Sequence, residues 1–266
     1  MDRNIMGQCR VSRTLGLIVV IVFSVSGQAA EPINIGSRRE LFVDDHLVGQ
    51  LKGTAELRLH HPIPREVSIV HDAPWEGNNC GYCTVFQDGY LYRMYYRGKQ
   101  LSVVGRQLIT NSHPEFYCYA ESHDGIRWTK PDLGIVEFNG SKKNNIIWDG
   151  VGTHNFSPFL DKRPGCPADQ KYKALGGTMR EGGLFAFASP DGIRWRLLRK
   201  KPVITNGAFD SQNLAFWDTT RQEYRAYFRD FREDRRDIKT ATSNDFVNWT
   251  TPRWLCLLYT SPSPRD

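Results

Sequence analysis

The chain has 266 residues, 12% of them aromatic and 24% charged, with a formal charge of +6. That length holds one large domain or two small ones. The charge excess is mild, and the densest charged stretch, residues 229–237, mixes both signs as a solvated loop does; a nucleic-acid-binding strip is therefore not expected.

Residues 1–30 read as a secretion signal. Arg3, Arg10 and Arg13 precede an apolar run from Leu15 to Val25, and Ser26, Gly27, Ala29 and Ala30 supply small residues for cleavage after Ala30 or Ala29. The run falls short of the roughly 20 residues that span a bilayer. The expected location is secreted or periplasmic, with no membrane attachment after cleavage. At the other end, residues 256–266 (CLLYTSPSPRD) have neither strand nor helix periodicity and read as the translation of a transposon sequencing adapter, a non-native tail. Both ends set aside, the net charge is +4, since the first segment carries three Arg and one Asp and the last one of each. The natural chain is expected to continue further.

Residues 31–255 read as the folded domain. Of six cysteines, Cys80, Cys83, Cys118 and Cys166 lie inside it. Cys80 and Cys83 have C-x-x-C spacing, but no βαβ pattern surrounds them, so a redox motif is not expected. A second close pair is missing, so a zinc site is not expected either. Structural thiols or one or two disulfides remain open.

Short runs rich in Tyr, Phe, Val, Ile and Trp alternate with Asp-Gly, Asn-Gly and Pro, the pattern of strands and hairpins. In Thr84–Tyr96 an Asp88-Gly89 pair separates two such runs and predicts a type I′ hairpin. An internal repeat organises these runs. Tyr119–Trp128 (YAESHDGIRW) recurs as Phe187–Trp195 (FASPDGIRW) and, more loosely, as Thr240–Trp249 (TATSNDFVNW). Each copy follows a second shared element, beginning at Tyr92, Tyr172 and Tyr224. A unit of this kind cannot bury both faces alone and must stack on its neighbours, as propeller blades do. The repeated Trp is expected to pack between blades, and Asp124, Asp191 and Asp245 to form turns.

The repeat resembles the bladed units of five-bladed propeller glycoside hydrolases of the family 32 and 43 kind, and more closely a group of secreted bacterial proteins in that superfamily. Glu40–Asp45, Ala73–Gly77 leading to Tyr92–Gly98, His154–Asp161 and Phe209–Asn213 carry the likeness. The blade-one motif Asn-Asp-Pro-Asn-Gly of β-fructosidases is absent. The resemblance implies an all-β, five-bladed β-propeller, incomplete here with about three to four blades. It also implies a probe-able chemistry: carboxylates on the innermost strands, one protonating the leaving oxygen and one attacking or activating water. Matched to those strands, Glu76 and Asp210 are the catalytic candidates. Asp72, Trp75, Arg97, His154, Asn155, Asp161, Asn213 and Arg229 are the substrate-binding candidates, Trp75 by stacking on a sugar face. The first strand, with Asp44 and Asp45, is expected in the ring closure. No cofactor and no metal are expected; the partner is a carbohydrate, and the full-length protein is expected to be a monomer. A non-catalytic glycan- or protein-binding propeller is the alternative. A sialidase-like enzyme is a third reading, in which Arg97 and Arg229, at matching repeat positions, would meet a substrate carboxylate.

Overall fold

The computed structural model describes residues 31–36, 40, 47–105, 107–110 and 113–255. The expected signal (1–30), the adapter-like tail (256–266) and Asp44 and Asp45 lie outside the described residues. The chain divides into two compact units, Met1–Pro64 and Arg65–Asp266. The described part of the first has no strand or helix; its order is local, as where the Asn34 side chain accepts from the Gly36 amide at 2.9 Å.

The second unit is built from three four-stranded antiparallel sheets. The first joins β1 (Gly81–Asp88), β2 (Leu91–Gly98), β5 (Phe116–Ser122) and β6 (Ile146–Trp148), with a hairpin of β3 (Leu101–Val104) and β4 (Gln107–Thr110) inserted after β2. The second runs through β7 (Ser157–Leu160), β8 (Tyr172–Gly176), β9 (Phe185–Ser189) and β10 (Arg196–Leu197). The third runs through β11 (Leu214–Asp218), β12 (Glu223–Arg232), β13 (Arg235–Ser243) and β14 (Arg253–Trp254). Each sheet is thus one copy of the sequence repeat: the Tyr-led element is its second strand, and the third strand ends on the turn serine. Two short 3₁₀ turns, Ala168–Gln170 and Met179–Glu181, complete the elements, and among the described residues no helix is long and apolar enough to cross a membrane.

In the first two sheets the second and third strands are buried on both faces, whereas β12 of the third sheet alternates buried and partly exposed residues. Tyr95 on β2 and Tyr117 and Tyr119 on β5 point one way, packing with Phe156, Tyr172, Ala174, Phe185, Phe187 and Trp195 of the second sheet. Their alternates Met94, Tyr96, Phe116, Cys118 and Ala120 form a separate cluster on the other face. Leu175 and Ala186 likewise leave the second sheet toward Phe209, Tyr224, Ala226, Phe228 and Phe246 of the third. The repeated tryptophans take part: Trp195 is buried between the first two sheets, while Trp249 and Trp128 are partly buried against neighbouring clusters.

A polar latch accompanies each apolar interface. The Tyr172 hydroxyl donates to Asp88, at the end of the preceding sheet's first strand, and the Tyr224 hydroxyl donates to Asp161 at 2.5 Å in the same relation. Arg93 adds a bond across the first interface, from Nη1 to the Asp191 carbonyl at 3.0 Å. The first strands β1, β7 and β11 lie side by side and line a cavity of about 750 Å³, with Thr84, Phe86, Ser157, Phe159, Ala215 and Phe216 among its walls.

Two local expectations change. In the β1–β2 hairpin, Asp88 pairs with Leu91, so the turn residues are Gly89 and Tyr90, and only Gly89 has positive φ (+65°). Type I′ needs positive φ at both central positions and type II′ at the first alone, so the turn follows the second pattern. The segment around Glu76, matched in the sequence to an innermost strand, is instead a turn over residues 73–78, and the first strand begins at Gly81. All four domain cysteines are free thiols.

Candidate functional site

Residues just before the first strands, and at the adjoining ends of their neighbours, converge at one end of the sheets. His154 precedes β7, Asp210 precedes β11, Arg97 closes β2, and Glu115 precedes β5. His154 stands between two carboxylates: Nδ1 lies 3.0 Å from Glu115 and Nε2 lies 3.2 Å from Asp210. With the Nδ1 proton given to Glu115, a proton must also lie on the line between Nε2 and Asp210 for both contacts to be hydrogen bonds. Lys99 pairs with Glu115, and Arg229 pairs with Asp210 at 3.2 Å. Burial would raise the Glu115 carboxyl, but the bonds from His154 and Lys99 outweigh it and bring it down to about 2. Asp210 is lowered in the same way, burial opposing and His154 and Arg229 prevailing. Its side chain is 64% exposed, against 16% for Glu115, so Asp210 is the carboxylate of this cluster that solvent can reach.

The backbone before Asp210 is strained into place. Phe209, fully buried, has φ +58°, a region costly for a residue with a side chain. Its carbonyl accepts from the Asn155 amide at 2.5 Å and the Asn213 amide at 3.1 Å, and the Asn155 Oδ1 in turn accepts from Gly177 N at 2.8 Å. Gln212 donates to the Cys83 carbonyl at 3.1 Å and to Thr84 Oγ1 at 2.8 Å, tying the Asp210 segment to β1.

Of the ten residues singled out in the sequence, the structure brings Arg97, His154, Asp210 and Arg229 into one hydrogen-bonded cluster. Asn155 and Asn213 are fully buried beneath it and hold the Phe209 turn. Glu76 belongs to a second network that shares no hydrogen-bonding partner with Asp210. Fully buried, Glu76 accepts from Ala73 N at 2.8 Å, Lys130 Nζ at 2.8 Å and Tyr96 Oη at 2.5 Å, with His71 Nδ1 at 3.5 Å. Burial raises its pKa, the bonds from His71, Lys130 and Tyr96 more than reverse this, and it settles at about 2. The Glu76 turn lies so close to the end of β2 that a Cβ on Gly77 would stand 2.4 Å from the Lys99 carbonyl oxygen.

The remaining three sit elsewhere. Asp72 is exposed and 3.3 Å from Lys130. Trp75 donates to Asn145 Oδ1 at 2.7 Å and packs edge-on against Phe138, in the outer cluster of the first sheet. Asp161 has its side chain wholly buried and accepts from Lys173, Tyr224, Cys166 and the Arg163 amide. These environments oppose a sugar-contacting place for Trp75 and Asp161, because their polar atoms are already engaged in packing between strands and sheets.

Four members of the cluster were not read from the sequence: Asn79, Tyr82, Lys99 and Glu115. A bulge between Gly81 and Thr84 leaves Tyr82 at φ +52°, and its ring lies 4.6 Å from the Arg97 guanidinium carbon and 5.6 Å from the His154 ring. Bulges re-aim side chains next to functional sites. Lys99 had a usable signal, because it directly follows the Tyr92-led element that carries Arg97; Glu115 had none, lying four residues before the repeat that begins at Tyr119. Among the described residues no group of three or more His, Cys, Asp or Glu is placed to hold a metal ion.

No protein-family profile matches the chain. An uncharacterized protein of Mycobacterium tuberculosis is 29% identical over 153 residues, 55% of this chain and 42% of that protein. Among solved structures, the chain is similar to a glycosyl hydrolase from Bacteroides ovatus (19% identity, 65% of this chain and 50% of that one, TM-score 0.40). It is also similar to a β-fructofuranosidase from Schwanniomyces occidentalis complexed with fructosyl-erythritol (17% identity, 70% and 36%, TM-score 0.45). A third is an N-acetylgalactosamine deacetylase from F. plautii in complex with blood group B trisaccharide (13% identity, 64% and 51%, TM-score 0.39). The chain spans less than half the length of the curated relative and about half or less of these structures.

Proposed function

We propose that this is an exported, glycoside hydrolase-like protein whose three sheets are consecutive blades of a five-bladed propeller, and that the cluster around His154 binds a glycan. The observation that carries this reading is Asp210: a solvent-reachable carboxylate, held ionised by His154 and Arg229 on a strained turn, at the end of the cavity-lining strands. Such a group suits a nucleophile or a base that activates water. Hydrolysis of a glycosidic bond needs a second carboxyl group as acid. Glu76, with four partners and a depressed pKa, suits the role of anchor for the turn that leads into Asn79, so the acid is not assigned to it. Asn155 and Asn213 position Asp210 through the Phe209 carbonyl.

The test is Asp210→Asn, measured for glycan binding and for release of reducing ends from a panel of oligosaccharides. Loss of turnover of about 10³-fold with binding retained is the expected result; the rationale is the removal of a group acting in the transition state. Turnover unchanged in Asp210→Asn would reject the assignment. A non-catalytic glycan-binding role is the second reading, favoured by one observation: within this cluster the other carboxylate, Glu115, is taken up by Lys99 and His154. Binding without any hydrolysis by the wild-type chain would support it.

A further inference from the structure

We infer that the sugar this site takes is anionic, a uronic acid, and that Arg97 meets its carboxylate; this rests on the glycan-binding reading above. Arg97 is only 7% exposed, yet among the described residues it forms no ion pair with a carboxylate, and its Nη1 lies 3.4 Å from the His154 Nδ1. Nη1 donates to the His154 carbonyl at 3.2 Å, Nη2 donates to Asn79 Oδ1 at 3.0 Å, and Nε has no partner at all. The two carboxylates of the cluster are already committed, Glu115 to Lys99 and His154, Asp210 to Arg229 and His154. A buried charge without a counterion is costly unless something supplies one. Here the fold keeps such a charge one residue, His154, away from Asp210, the exposed carboxylate of the cluster.

The geometry suits an anion with two oxygens side by side. Tyr82, held at φ +52° by the bulge, covers one face of the guanidinium. Nε–H and the second N–H of Nη2 form one edge of that plane, spaced to receive the two oxygens of a carboxylate. Beside Nη2 the chain places Gly81, whose missing side chain would otherwise stand 3.7 Å away. Arg229, on the far side of His154, also has an Nε without a partner and reinforces the positive potential.

Titration calorimetry with three ligands decides the matter: an oligogalacturonate, its neutral oligogalactose counterpart and a sulfated galactose oligosaccharide. The oligogalacturonate should bind about tenfold or more tightly than the neutral sugar, the effect of charge-assisted hydrogen bonds, and its affinity should fall as salt is raised while that of the neutral sugar holds. Arg97→Gln should abolish the preference while binding of the neutral sugar persists. Arg97→Lys, which keeps the buried charge and so the fold, should retain salt dependence but lose most of the preference, because an ammonium has no fork. Equal binding of charged and neutral sugars would overturn the inference and leave the glycan reading intact. Tighter binding of the sulfated sugar would overturn the uronate assignment. Absence of binding to any of the three would overturn both.

Discussion

Single residues carry strain here for identifiable reasons. In the first two Ser-x-Asp turns, the serine hydroxyl accepts from the amides two and three residues on, and the aspartate accepts from the next two amides; Gly125 and Gly192 supply the positive φ this needs. The third copy makes the same bonds with Phe246 at φ +68°. That conformation costs roughly 1–2 kcal/mol, and burial of the ring among Phe159, Tyr224 and Trp249 offsets it. Phe246→Gly should therefore destabilise the protein by about 2 kcal/mol in urea unfolding, the cavity outweighing the relieved strain. Glu76→Gln tests the other buried anchor. It should lower stability by about 3 kcal/mol, as breaking a buried ion pair does, while the glycan binding proposed for the His154 cluster should persist in the folded fraction.

At the scale of elements, the β12–β13 hairpin is the clearest departure from local preference. Arg232 pairs with Arg235, so Glu233 and Asp234 form the two-residue turn, both exposed and both at positive φ (+52° and +61°). This is the type I′ pattern, which Asn-Gly satisfies best. The double change Glu233→Asn with Asp234→Gly should raise the melting temperature by roughly 2–4 °C, equivalent to about 1 kcal/mol in a chain of this size. Paired with the β1–β2 turn, it shows why the sequence reading mis-set a turn type: the last ladder pair decides which residues are central, and that pair lies outside the two turn residues. The strands themselves were legible, since alternation and turn residues are local signals. The short inserted hairpin β3–β4 was not, having no counterpart in the repeat.

Across the whole molecule, the sheets are held by an apolar interface with a tyrosine–aspartate latch at each junction. Tyr224→Phe removes the donor to Asp161 and leaves Lys173 paired with it, so a loss of about 1–2 kcal/mol is expected, read as a lower urea midpoint. Glu76 and Glu115 both titrate near 2 in the folded chain, below the 4.5 of an unperturbed glutamate. Their folded pKa values are depressed, so the stability they contribute is present above about pH 5 and is lost as pH falls toward 2. Melting temperature should drop steeply over that window, and Glu76→Gln should flatten the drop.

The sequence by itself determined the sheet-forming repeat, the turn aspartates and the packing of Trp195 between two sheets. These follow from patterns within a few residues or from the repeat length, whereas His154 and Asp210 were named through the resemblance to propeller glycoside hydrolases. The tertiary structure alone decided which polar residues share a site. Arg97 reaches His154 and His154 reaches Asp210 across 57 and 56 positions of chain, whereas Glu76 and Asp161, equally acidic in the sequence, are consumed by Lys130 and Lys173. A carboxylate's role depends on what the packing of the sheets brings against it, and no local pattern encodes that neighbour.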